Sequence, residues 1–125
     1  MIYGIGTDIV AVERLERLYE RHGERCLEKI LSPEERVLFK EVKQPARFLA
    51  KRFASKEAFG KALGIGVVQP ASMVNIGVSH DHLGKPCFVF SPDLALYLSE
   101  RRLITHLTIS DEAEYAVAFV IVESH

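Results

Sequence analysis

The chain contains no tryptophan, only two cysteines, and no apolar run approaching the ~18 residues needed to cross a membrane. Cys26 and Cys87 stand alone, without a CxxC spacing or histidine-rich neighbours, so the sequence offers neither a zinc site nor a disulfide framework. A charge excess of either sign is also missing. The net charge is −1, which argues against a dedicated nucleic-acid binder. No signal-peptide pattern precedes Met1-Ile2-Tyr3, so the expected setting is cytoplasmic, with no membrane contact. At 125 residues the chain is expected to form one domain, residues 1–125.

The charges present are unevenly spread. Residues 1–61 hold 13 Lys/Arg against 10 Asp/Glu, and residues 62–125 hold 3 against 7. Met1 to Asp8 reads as a strand ending at Asp8, with Gly4 and Gly6 leaving one face bare for close approach by another backbone or a ligand. Val12 to Lys29 is helical, with His22-Gly23 as a break. On it Arg14, Arg17, Arg21 and Arg25 recur at three- and four-residue steps. Such a stripe is either a solvated face or a docking surface for an acidic macromolecule. Only Glu13–Arg17 has the favoured four-residue spacing, so neighbours on the helix leave the stripe incompletely neutralised.

Ser32-Pro33-Glu34-Glu35 has the form of a capping box opening a helix to about Lys43. The helical run from about Ala46 to Leu63 is the most informative stretch. A helical wheel gathers Phe48, Leu49, Phe53, Phe59 and Leu63 on a core arc, and sets Glu57 and Lys61 opposite, among Ala50, Ala54 and Gly64. Small neighbours around a charged pair leave room for a ligand. Arg52 and Lys56 fall inside the apolar arc, where a cation must snorkel out or find an anion. Further on, Met73–Ser79 and Cys87–Ser91 read as a hairpin and Ser91-Pro92-Asp93 as the start of a helix to about Arg102. His106–Ser110 and Tyr115–Glu123 read as strands, the last apolar on both faces and so needing two covers, a helix and a neighbouring subunit.

Asp8, Glu57 and Lys61 are the candidate chemical groups. One or two carboxylates plus substrate phosphates are what Mg²⁺ takes, and a nearby ammonium can neutralise a phosphoryl group in transit. The structural alternatives are a helix cap for Asp8 and an ordinary surface pair for Glu57 and Lys61.

Ile5-Gly6-Thr7-Asp8 together with Phe53-Ala54-Ser55-Lys56-Glu57-Ala58-Phe59-Gly60-Lys61 resembles the paired signatures of the 4′-phosphopantetheinyl transferases, in their short acyl-carrier-protein synthase branch. The similarity continues through Arg47–Phe53, Gly64-Ile65-Gly66, Leu83–Pro86 and Tyr115–Ala118. The resemblance implies an α+β, 4′-phosphopantetheinyl transferase-like fold, with a long central helix packed on an antiparallel sheet. It implies a homotrimer binding coenzyme A between subunits. The implied activity is Mg²⁺-dependent transfer of phosphopantetheine from coenzyme A to a serine of apo acyl carrier protein, serving fatty acid biosynthesis. On the same basis Asp8 and Glu57 would hold the metal against the pyrophosphate, and Lys61 would stabilise charge or take the serine proton. An ordinary lysine, with a pKa of ~10.4, is a poor base at neutral pH, which favours the first role.

The resemblance also implies coenzyme A contacts by Arg47, Arg52 and Lys56, the latter two toward nucleotide phosphates or a buried carboxylate. Gly64 and Gly66 would let backbone amides approach the ligand, unless Gly64 serves only as a helix cap. Arg14 and Arg21, extended by Arg17, Arg25 and Leu18, would dock the carrier. The chain departs from the family pattern at Asp111, where many relatives carry a histidine, and His106 is the nearest substitute. The remaining histidines read as surface or turn residues.

Overall fold

The computed structural model covers residues 1–125. Its elements run β1 (Ile2–Ala11), α1 (Val12–His22), α2 (Glu24–Ile30), α3 (Pro33–Phe39), α4 (Pro45–Leu63), β2 (Ile76–His80), β3 (Pro86–Phe90), α5 (Pro92–Glu100), β4 (Leu103–Asp111) and β5 (Tyr115–Ser124). A single 3₁₀ turn, Met73–Asn75, precedes β2. It occupies the start of the stretch expected as strand. Strands β1, β5 and β4 form an antiparallel sheet in that order, and β2–β3 form a separate hairpin. No helix is long and apolar enough to cross a membrane.

β1 runs three residues past the expected end at Asp8, because its pairing with β5 continues to Ala11 opposite Tyr115. Asp8 is therefore an interior strand residue opposite Ala118, not a helix cap. The first helix breaks where expected. Gly23, at φ +54°, ends α1 and starts α2. The capping box also forms: Ser32 N–H donates to Glu35 Oε1 at 2.8 Å and Glu35 N–H to Ser32 Oγ at 3.3 Å.

Helix α4 lies across β1 and β5 and is buried along most of its length. Leu49, Phe59 and Leu63 join the core as the wheel implied, while Phe48 and Phe53 sit at its border. The small-residue side differs from expectation. Ala50, Ala54, Ala58 and Ala62 are at most 2% exposed, so this face is packed and not open to a ligand. The reason lies in β1. A Cβ on Gly4 would stand 1.9 Å from the Ala62 carbonyl oxygen, and one on Gly6 would stand 2.1 Å from that of Ala58. The bare strand face receives the helix backbone itself. Ala116 and Ala118 of β5, both fully buried, continue this thin inner surface.

The outer face of the same sheet carries Ile5, Ile9, Ile104, Tyr115 and Phe119, each exposed by 39–63%. Of the two covers expected for β5, α4 supplies one. The other side is bare in a single chain.

Opening the β1–α4 contact should be costly. Gly6→Ala forces a Cβ against a carbonyl oxygen and is expected to lower unfolding free energy by about 2 kcal/mol or more in urea titrations. A midpoint equal to the parent chain would mean the two backbones can separate freely.

Candidate active site

The glycine face of β1 delivers Asp8 to the C-terminal half of α4. Asp8 is two residues beyond Gly6 on the same strand face, and Gly6 lies against Ala58 and the Cβ of Lys61. Lys61 Nζ stands 3.2 Å from Asp8 Oδ1 and donates to the Thr7 carbonyl at 3.0 Å. Glu57, one turn earlier, is half-buried and has no ion-pair partner within 4.0 Å. Burial raises its carboxyl above the ordinary glutamate value, and the Asp8 charge adds to the rise, while Lys61 and Arg14 oppose it. The structure thus brings all three candidates together, with two carboxylates close enough to repel.

No third His, Cys, Asp or Glu completes a cluster around them. Two oxygen donors with mutual repulsion suit a hard divalent ion that fills its other positions with water and substrate phosphate. They lack the cysteine and histidine donors that most zinc sites combine with carboxylates.

Arg52 and Lys56 go elsewhere. Both charged groups turn inward onto Glu35, whose side chain is 2% exposed. Glu35 Oε1 accepts from Lys56 Nζ at 2.6 Å, and Oε2 accepts from Val78 N–H at 2.8 Å and lies 3.2 Å from Arg52 Nε. Lys56 also donates to the Ile30 and Met73 carbonyls, and the Arg52 guanidinium lies 3.7 Å over the Phe48 ring. Burial pulls both cations below their ordinary pKa values, and Glu35 pulls them part of the way back. A phosphate contact is ruled out for a fully buried Lys56, and the buried-carboxylate alternative is the one realised. Removing a partner from such a cluster costs about 3–5 kcal/mol. The cluster ties α3, α4 and β2 together. Sequence reasoning missed Glu35 because its capping-box role had already accounted for it.

Gly64 and Gly66 are also reassigned. Gly64, at φ +89°, is the left-handed cap of α4, and the N–H groups of both glycines donate to the Gly60 carbonyl. Those amides are spent on the helix end, so they are not free for a ligand. Arg47 remains accessible at the start of α4, with Nε 3.0 Å from Asp111 and Nη1 donating to Gln44. Lys51 shares the same aspartate at 4.0 Å. His106 lies on the outer sheet face, 2.6 Å from Glu123, and does not join Asp111.

On α1, Arg17 pairs with Glu13 at 2.6 Å, as the spacing implied. Arg14, Arg21 and Arg25 form no ion pair. The Arg14 guanidinium instead sits 5.1 Å over Phe53, one helical turn before Glu57. Leu18 and Arg25 line a groove of about 400 Å³ together with His22, Cys26, Phe53 and Met73. His22, the last residue of α1, is exposed as expected and borders the same groove.

The model of the 4′-phosphopantetheinyl transferase superfamily matches residues 4–120. The chain is 58% identical over 123 residues to a holo-[acyl-carrier-protein] synthase of Dechloromonas aromatica, covering 98% of each. Among solved structures, the holo-[acyl-carrier-protein] synthase of Neisseria meningitidis superposes with a TM-score of 0.96 at 46% identity, over 99% of this chain and 100% of that one. The Bacillus anthracis enzyme, solved in complex with CoA (3′,5′-ADP), gives 0.84 at 38% identity, over 100% and 99%. The chain belongs to the 4′-phosphopantetheinyl transferase superfamily and has the α+β fold of the holo-[acyl-carrier-protein] synthases.

Proposed function

We propose that this family member transfers the 4′-phosphopantetheine group of coenzyme A to a serine of apo acyl carrier protein, leaving adenosine 3′,5′-bisphosphate. The observation that carries the reading is the meeting of Asp8, Glu57 and Lys61 where β1 crosses α4, in a chain alike from end to end to holo-[acyl-carrier-protein] synthases.

Asp8 and Glu57 are the residues that would hold Mg²⁺, which supplies charge neutralisation and orientation of the coenzyme A pyrophosphate. The serine oxygen gives up its proton to solvent and bonds to the phosphorus bearing pantetheine. The bond from that phosphorus to the oxygen bridging the two phosphoryl groups breaks, and the bridging oxygen leaves with the nucleotide. Lys61 places a positive charge beside that centre, where stabilisation of developing charge is the role its geometry supports. Arg47 is the accessible cation for the nucleotide phosphates. Arg52 and Lys56 serve by holding α4 in place.

The carrier docks on α1 and the start of α2, where Arg25 lies. Arg14, Arg21 and Arg25 are unpaired cations facing an acidic partner, Arg17 extends the stripe, and Leu18 offers an apolar contact in the groove beside Phe53. The bare outer sheet face is covered by neighbouring copies in a homotrimer, with coenzyme A in the cleft between subunits. The reaction belongs to the cytoplasm, whose reducing conditions suit two unpaired cysteines, and it feeds fatty acid biosynthesis.

Incubation with coenzyme A, Mg²⁺ and apo carrier should add the mass of one phosphopantetheine to the carrier. Glu57→Gln should slow this by about 10²-fold or more while leaving carrier affinity near the parent value. Coenzyme A breakdown with an unmodified carrier would instead indicate a hydrolase. Arg14→Glu should raise KM for the carrier roughly five- to tenfold and flatten its salt dependence, since the contact steers encounter electrostatically. Sedimentation equilibrium should give three times the 14.1 kDa chain mass, and Phe119→Glu should reduce it to one. A parent chain that sediments at 14.1 kDa would remove the trimer from the proposal.

A further inference from the structure

The ammonium of Lys61 rests on one oxygen of the carboxylate that the metal reading assigns to a divalent ion. Its Nζ lies 3.2 Å from Asp8 Oδ1 and donates to the Thr7 carbonyl at 3.0 Å. The three charges around the contact are unevenly matched. Asp8 has a partner and Glu57 has none. An ammonium and a divalent ion held on one carboxylate repel each other, whichever oxygens they take. The two partners also differ in freedom. Asp8 is held in the strand with its side chain 17% exposed, whereas the Lys61 side chain is 54% exposed and can swing away.

We infer that Lys61 is the resident counter-ion of Asp8 in the metal-free protein, that a divalent cation displaces it, and that this exchange is what frees its ammonium for the substrate. The inference rests on the proposed metal role of Asp8 and Glu57. It orders events: Lys61 reaches the phosphoryl group only in a metal-loaded site, so coenzyme A alone does not draw it into place. The Thr7 carbonyl acts as the other half of the resting cradle, holding the ammonium beside the acid it guards.

Two readouts, both independent of turnover, test the exchange. In the coenzyme A-free protein, trace acetylation with acetic anhydride, read by peptide mass spectrometry, should label Lys61 slowly without metal. Saturating Mg²⁺ should accelerate it about threefold or more, the scale set by an exposed ion pair. The rate at Lys29, exposed and without an acidic partner, should not change. In Mn²⁺ titrations followed by electron paramagnetic resonance, Lys61→Met should bind the ion more tightly than the parent chain. Arg14→Met controls for simple loss of charge: Arg14 faces the same Glu57 without touching Asp8, so its removal should tighten binding much less. Equal tightening by both variants, or Lys61 labelling indifferent to Mg²⁺, overturns the exchange. If Asp8→Asn and Glu57→Gln abolish Mn²⁺ uptake in that case, the metal reading itself stands. Mn²⁺ uptake unchanged by those two substitutions overturns the metal reading and the exchange together.

Discussion

The structure depends on how closely one helix backbone approaches one strand. Where a helix and a strand meet through ordinary side chains, those side chains hold the two backbones apart. Here Gly4 and Gly6 present no side chain, and Ala58 and Ala62 are the helix residues set against them. The gap is too narrow for even one methyl group. An acid on the strand, two residues along, can then reach functional groups on the helix without a long side chain. Asp8 is short, and it needs the thin interface to meet Lys61.

That constraint explains the face that the helical wheel assigned wrongly. Periodicity reports which residues share a side, but it does not say whether a row of alanines faces a ligand or a neighbouring backbone. The clue was on the other partner, since Gly4 and Gly6 had already signalled a close approach on the strand. Joining two half-signals more than fifty positions apart requires the register, which no local pattern contains. Element types were legible, because caps and breaks are written in adjacent residues: Ser32 with Glu35, Gly23, and Gly64 at the end of α4. The extension of β1 through Ala11 was not, because it is dictated by Tyr115 on another strand.

The site was legible in its membership and less so in its assignments. Asp8, Glu57 and Lys61 converge as the motif resemblance implied. Arg52 and Lys56 did not take the phosphate-binding role, for a reason the wheel had partly stated: cations inside an apolar arc require an anion. The anion is Glu35, from a helix whose capping chemistry gave no hint of a second duty. Asp111 is a parallel case. Its ion pair with Arg47 joins the end of β4 to the start of α4, a contact invisible to spacing.

Lys56 and Glu57 are neighbours in the chain with opposite destinations, one sealed inside on Glu35 and the other turned toward Asp8. Each residue added to or removed from a helix rotates everything beyond it by about 100°. A single insertion between Leu49 and Ser55 would therefore expose the lysine's path, bury the acid and carry Lys61 off the strand at once. The length of this stretch is as constrained as its composition. Divergence in proteins built this way should leave the residue count of the long helix untouched.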